Sequence, residues 1–171
     1  MTIVWSVLFV LSMHVARYEK DLGHTWYVIH SSANYAGVLL ALVAFIIAVM
    51  TVNAHFVSLH AILGLIVTIL MLVQPMLGVA ANKMWKPERA KTPIFPDTIH
   101  AWLGRVLLLA GVVQIYLGLD FAASAIVFVL FSVWIAMLVA FFVFSEIKLG
   151  AVHHNQYNGE ENAVYNKNIK I

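Results

Sequence analysis

HAILGLIVTILMLVQPMLG, residues 60–78, is answered forty positions later by HAWLGRVLLLAGVVQIYLG, residues 100–118. Counted from each histidine, both copies place Gly at +4, Gln at +14, Leu at +17 and Gly at +18. On a helix turning about 100° per residue, the offsets +4, +14 and +18 all return to within about 40° of the His. Each copy is therefore predicted to be an apolar helix with one marked stripe: His60, Gly64, Gln74 and Gly78 in the first, His100, Gly104, Gln114 and Gly118 in the second. Glycines below a histidine leave room for something flat and bulky against the backbone. Imidazole is a common ligand for iron, so the stripe points to haem.

The rest of the chain suits that setting. Of its 171 residues, 63% are hydrophobic and only 11% charged, against about 25% charged in ordinary soluble domains. The mean hydropathy is +0.91. The fold class expected is all-α: an integral membrane bundle of five transmembrane helices, four forming a haem core and one peripheral. The apolar runs are 2–16, 27–52, 56–81, 98–119 and 122–144, and a span needs about 20 residues, so the last four qualify. The first is short and has no basic residue ahead of it, unlike a signal peptide. It reads as a spanning helix whose beginning lies ahead of this chain. The absence of cysteine excludes disulfides, thiolate metal sites and iron–sulfur clusters.

Orientation follows from the cations. The loops near Asn53 and Asp120 hold no Lys or Arg, whereas Arg17, Lys20, Lys83, Lys86, Arg89, Lys91, Lys148, Lys167 and Lys170 fall on the opposite side, with Arg105 just inside the fourth helix from there. The positive-inside rule makes that side cytoplasmic and the N-terminus external or lumenal, in a multi-pass protein of the plasma membrane or an endomembrane. The net charge of +2 is thus a topology signal; no nucleic-acid motif accompanies it.

His30 opens the second helix from the cytoplasmic side, and His100 opens the fourth from the same side. Both stand a short distance inside their helix ends, at matching depth on parallel helices, the arrangement that two axial ligands of one haem require. Asn34 and Gly37 share the His30 face. A helix interface of small and hydrogen-bonding residues would explain that face equally well, but a buried polar group in lipid is costly and needs a reason. His60 enters from the other side, and no histidine of this chain opposes it. His14 reads as a packing or snorkelling residue, and His24, His153 and His154 as solvated. The loop at 82–96, with four basic residues, Trp85 and Phe95, either lies on anionic lipid or receives an anionic donor at the mouth of the His30 and His100 site. Asp97 is expected to cap the fourth helix. Residues 1–147 form the transmembrane domain, and 148–171 a polar cytoplasmic tail without fixed structure.

These elements resemble the transmembrane core of the cytochrome b561 family, in particular the branch joined to extracellular DOMON domains and the ferric-chelate reductases. The resemblance is carried by Met1 with Trp5, Ala16-Arg17-Tyr18, Trp26 with His30, the H-x-x-L-G of His60 to Gly64 with Gln74, and His100 to Gly104 with Gln114 and Gly118. It covers about residues 1–147. It implies two b haems, one near each face, with His30 and His100 as iron ligands of the cytoplasmic haem and His60 as one ligand of the outer haem. In the family the first histidine belongs to an H-G-x-x-M motif; Met1 aligns with its Met, so that ligand would fall just ahead of residue 1. The implied activity is that of an ascorbate-dependent transmembrane oxidoreductase of ferric-reductase type. Electrons would pass from cytosolic ascorbate to an outside acceptor such as ferric chelate or monodehydroascorbate. Arg17, Lys20, Lys83 and Arg105 are candidates for holding the donor. Membrane lipid is the standing partner, and a homodimer is among the arrangements the resemblance admits.

Two rivals from other classes remain at this stage. A proton-coupled transporter with histidine relays would show helices interrupted near mid-membrane and an acidic residue inside a span. Pro75 is the one mid-span breaker and no span holds Asp or Glu. A haem-deficient scaffold or partner subunit would be colourless.

Overall fold

The computed structural model describes residues 4–84, 93–122 and 124–169, without the side chains of Lys20, 120–122 and 150–169. Among the described residues there are helices and no strands. α1 (Val10–Tyr18) follows a wider helical stretch, Val4–Phe9; then come α2 (Thr25–Thr51), α3 (Leu59–Met84), α4 (Ile99–Ala122), preceded by Ile94–Thr98, and α5 (Ala125–Ile169). Among the described residues, four helices are long and apolar enough to cross a membrane: Thr25–Thr51, Leu59–Met84, Ile94–Leu119 and Ala125–Leu149. Val4–Tyr18 is a shorter apolar helix. A helix is what such sequence must form in lipid, because it satisfies every backbone polar group within the segment. Hydroxyls inside the spans follow the same rule: Ser31 donates to the Tyr27 carbonyl at 2.8 Å, Thr68 to Gly64 at 2.8 Å and Ser145 to Phe141 at 2.9 Å.

The helix ends have local causes. Gly23 takes φ +59°, a left-handed turn open to glycine, and lets the chain reverse between α1 and α2. Ser58 caps α3 by accepting the Ala61 N–H at 3.2 Å on its hydroxyl. Asp97 stands in the first turn of the path into α4, where its carboxylate complements the helix N-terminus. Just before it Phe95 is extended, at φ −109° and ψ 135°, and interrupts the stretch Ile94–Thr98. Thr98 closes the entry, its hydroxyl donating to the Pro93 carbonyl at 2.9 Å.

The chain divides between Phe128 and Val129 into two compact units. In the first, α1 packs on α2, α2 on α3 and α3 on α4, while Val4–Phe9 touches both α2 and α4. Its buried core is small: Trp5, Ala41, Val67, Met71 and Leu107. Large apolar side chains such as Leu39, Met50 and Leu109 are exposed, as lipid-facing residues are. Trp5 docks the N-terminal helix. Its indole N–H donates to the Leu108 carbonyl at 3.1 Å, and its ring fills the space where a Cβ on Gly111 would stand. One turn on, Phe9 does the same at Gly37, where a Cβ would lie 2.6 Å from its ring. Helices without a hydrophobic drive between them associate through such close approaches.

The second unit is the remainder of α5. Its helical path continues to Ile169, through the tail whose composition predicts no fixed structure. A helix supplies its own backbone hydrogen bonds and so can run beyond the end of the apolar sequence.

Candidate haem-binding site

α3 and α4 run antiparallel and meet along the repeated stripe. His100 donates from Nδ1 to the Gln74 carbonyl at 3.2 Å, and Gln74 Nε2 donates back to the His100 carbonyl at 2.7 Å. The other end repeats the geometry. His60 Nδ1 lies 3.2 Å from the Gln114 carbonyl, and Gln114 Nε2 donates to the His60 carbonyl at 2.7 Å. The glycines complete the pattern. A Cβ on Gly78 would stand 3.0 Å from His100 Cε1, on Gly118 2.9 Å from His60 Cε1, on Gly104 2.8 Å from Gln74 Nε2 and on Gly64 2.7 Å from Gln114 Nε2. This corrects the expectation drawn from the repeat. The glycines make room for the histidine and glutamine of the facing helix, whereas the sequence suggested a flat group against the backbone.

His30 is held by a comparable device from α1. Its Nδ1 donates to the Ser12 carbonyl at 2.9 Å; Ser12 is buried, and its hydroxyl donates to the His30 carbonyl at 3.2 Å. Asn34 donates to the Ser12 hydroxyl and, at 2.7 Å, to the His30 carbonyl. A ring whose Nδ1 carries the proton presents Nε2 as the nitrogen with the lone pair, the form in which histidine binds a metal. Ser12 was not visible as a site residue in the sequence. Its pairing joins two separate helices, and the periodicity within one helix does not reveal such a contact. Ser12→Ala is expected to remove about 1 kcal/mol of stability, read as a lower melting temperature in detergent, with no change in the number of spans.

The structure brings His30 and His100 together, with ring centres 6.2 Å apart and planes at 85°. A metal–imidazole bond of about 2 Å, plus about 1.1 Å from nitrogen to ring centre, spans about 6.2 Å when taken twice across one metal. The separation of the two ring centres is compatible with both imidazoles sharing one iron. Both line a cavity of about 830 Å³ between α1, α2, α3 and α4, within the about 300–1,000 Å³ usual for cofactor pockets. The donor set, the spacing and the volume fit haem b.

Of the four cations proposed for the donor, Arg17 and Arg105 line this cavity, beside Asp97 and Tyr27. Arg105 is braced by a 3.0 Å bond from Nη1 to the Ala101 carbonyl and by the Trp102 ring, 5.2 Å away. Lys83, in the last turn of α3, is exposed and is not part of the wall. The side chain of Lys20 and the loop cations Lys86, Arg89 and Lys91 lie outside the described residues. His60 stands apart. Its anchor, Gln114, is fourteen residues beyond His100 on α4, about 21 Å of helix rise, and among the described residues no second histidine faces it. His14 lies 3.6 Å from Glu19 and packs on Tyr18 near the end of α1.

Two cytochrome b561 and DOMON domain-containing proteins of Arabidopsis thaliana are similar to this chain. One is 28% identical over 118 residues, covering 69% of the chain and 29% of the relative. The other is 28% identical over 123 residues, covering 70% and 32%. The chain thus spans about three-tenths of the length of these relatives. No solved structure matches it. The family model for eukaryotic cytochrome b561, a family of membrane proteins that transfer electrons through haem b, matches residues 5–126. That match takes in α2, α3 and α4 with all three anchored histidines, and the chain belongs to the cytochrome b561 family.

Proposed function

We propose that this chain moves single electrons across a membrane, from cytosolic ascorbate to an acceptor on the far side such as ferric chelate or monodehydroascorbate. The observation that carries this reading is the His30 and His100 pair, 6.2 Å apart in the wall of one cavity. Haem b bound there supplies a one-electron carrier in a low-dielectric setting. His30 and His100 hold it from α2 and α4, each with its proton on Nδ1 directed to a backbone carbonyl. His60, anchored at the opposite end of α3, is the ligand this chain offers to a second haem near the outer face.

The cations orient the process. Arg17 and Arg105 place positive charge at the mouth, where ascorbate, an anion, gives up one electron and one proton to become monodehydroascorbate. Ferric chelate gains one electron to become ferrous. The basic side is the cytosolic side in this reading, with the N-terminus outside.

Vesicles with the cytosolic face outward test it. Added ascorbate is expected to reduce the haem, and Arg105→Gln to raise the half-saturating ascorbate concentration about tenfold, the worth of one hydrogen bond to a charged group. Haem that stays oxidised on the basic side and is reduced only from the other side would reverse the assignment of donor and acceptor.

A further inference from the structure

Gln74 has more structure around it than helix packing needs. Its backbone carbonyl accepts the His100 Nδ1 proton while its side-chain amide grips the His100 carbonyl. One residue therefore holds both the ring and the main chain of another, and the ring cannot swing about its Cα–Cβ bond without breaking its hydrogen bond to the Gln74 carbonyl. Gly78 and Gly104 are the clearances that permit it, since a Cβ on either would press on His100 or on the Gln74 amide.

The grip has a cost. Gln74 Oε1 is buried without a hydrogen-bond partner, and so is Oε1 of its twin, Gln114. An orphaned buried acceptor loses its hydration without compensation, and an apolar side chain of the same length would avoid that loss. Turning the amide over offers no escape, because it would set oxygen against the His100 carbonyl oxygen. The glutamine is kept for its donor. The same choice recurs at His60 with Gln114 and, within one helix, at His30 with Asn34.

We infer that Gln74 is a positioning residue for His100, fixing the ring's rotation and the strength of its Nδ1 hydrogen bond, and through these the potential of the haem in the inner cavity. This rests on the haem reading above. A stronger Nδ1–H···O=C bond makes imidazole a more basic ligand and favours the ferric state. Loosening it favours the ferrous state, so the midpoint potential rises.

The test uses the haem-loaded chain in detergent with three variants. Gln74→Met keeps length and packing and removes the amide; Gln74→Asn keeps the amide but withdraws it from the His100 carbonyl. Gln114→Met removes the matching amide at the other end of the same helix pair. Both Gln74 variants are expected to raise the midpoint potential of the inner haem, change its low-spin electron paramagnetic resonance g values, and weaken haem retention about tenfold. Gln114→Met is expected to leave the inner potential and g values at their wild-type positions. Unmoved values in the Gln74 variants overturn the inference while leaving the haem assignment standing. An equal shift in Gln114→Met also overturns it, since the effect would then be general loosening of α3 against α4. A wild-type chain that takes up no haem overturns the haem assignment, and this inference with it.

Discussion

Replacement of His100 by alanine is expected to abolish the low-spin spectrum of the inner haem. In the proposed site the ring would supply one of two axial nitrogens, the His30 and His100 ring centres standing 6.2 Å apart, and alanine would leave the iron with His30 alone. Partners that only support a metal ligand are worth about 10–100-fold in affinity, so loss of the ligand itself should exceed that and leave the site largely empty after purification. The α3 and α4 interface would survive in part, because Gln74 still reaches the backbone carbonyl of residue 100. Difference spectra, reduced minus oxidised, of equal amounts of His100→Ala and wild-type protein give the answer. His55→Ala, in the exposed loop before α3, is expected to keep the wild-type spectrum. A low-spin spectrum unchanged in His100→Ala would remove the basis for placing haem between α2 and α4.

Gly111→Ala is the second large effect, and it acts through packing. The added methyl would occupy space that the Trp5 indole already fills. Backbone binds the indole as well, through its bond to the Leu108 carbonyl, so it cannot turn aside without giving up that hydrogen bond and its buried place beside Met71 and Leu107. Overpacking of this kind costs about 1–3 kcal/mol, occasionally more. The expected result is a lower melting temperature and a looser N-terminal helix, with haem held less well because Trp5 lines the cavity. A double-mutant cycle checks the cause: Trp5→Ala should recover part of the loss when combined with Gly111→Ala, since the clash leaves with the ring. Simple addition of the two losses would show that the methyl harms α4 in some other way.

Much of this architecture was legible in the chain because lipid leaves few options. An apolar run of span length must be a helix, and the stripe of His60, Gly64, Gln74 and Gly78 pointed to one working face. Depth along the helices was enough to suggest His30 beside His100, without any contact being known. What depth could not supply was the identity of each side chain's neighbour. The repeat alone reads as clearance for a cofactor, but the glycines clear space for a facing histidine and glutamine, a fact that depends on how α3 and α4 are set against each other. Ser12 was passed over for the same reason, being one hydroxyl in an apolar helix until α2 is laid beside it.

The repeat also bears on rectification. α3 and α4 are one unit used twice in opposite senses, so half a turn about an axis in the membrane plane exchanges His60 with His100 and Gln74 with Gln114. A pair with that symmetry has no built-in forward or reverse. Any preference for current in one sense must come from positions where the copies differ, such as Arg105 against Leu65, Trp102 against Ile62 and Pro75 against Ile115, and from the helices set beside only one end. Exchanging Arg105 and Leu65 is then a way to ask whether the polarity of such a wire can be turned round without touching its ligands.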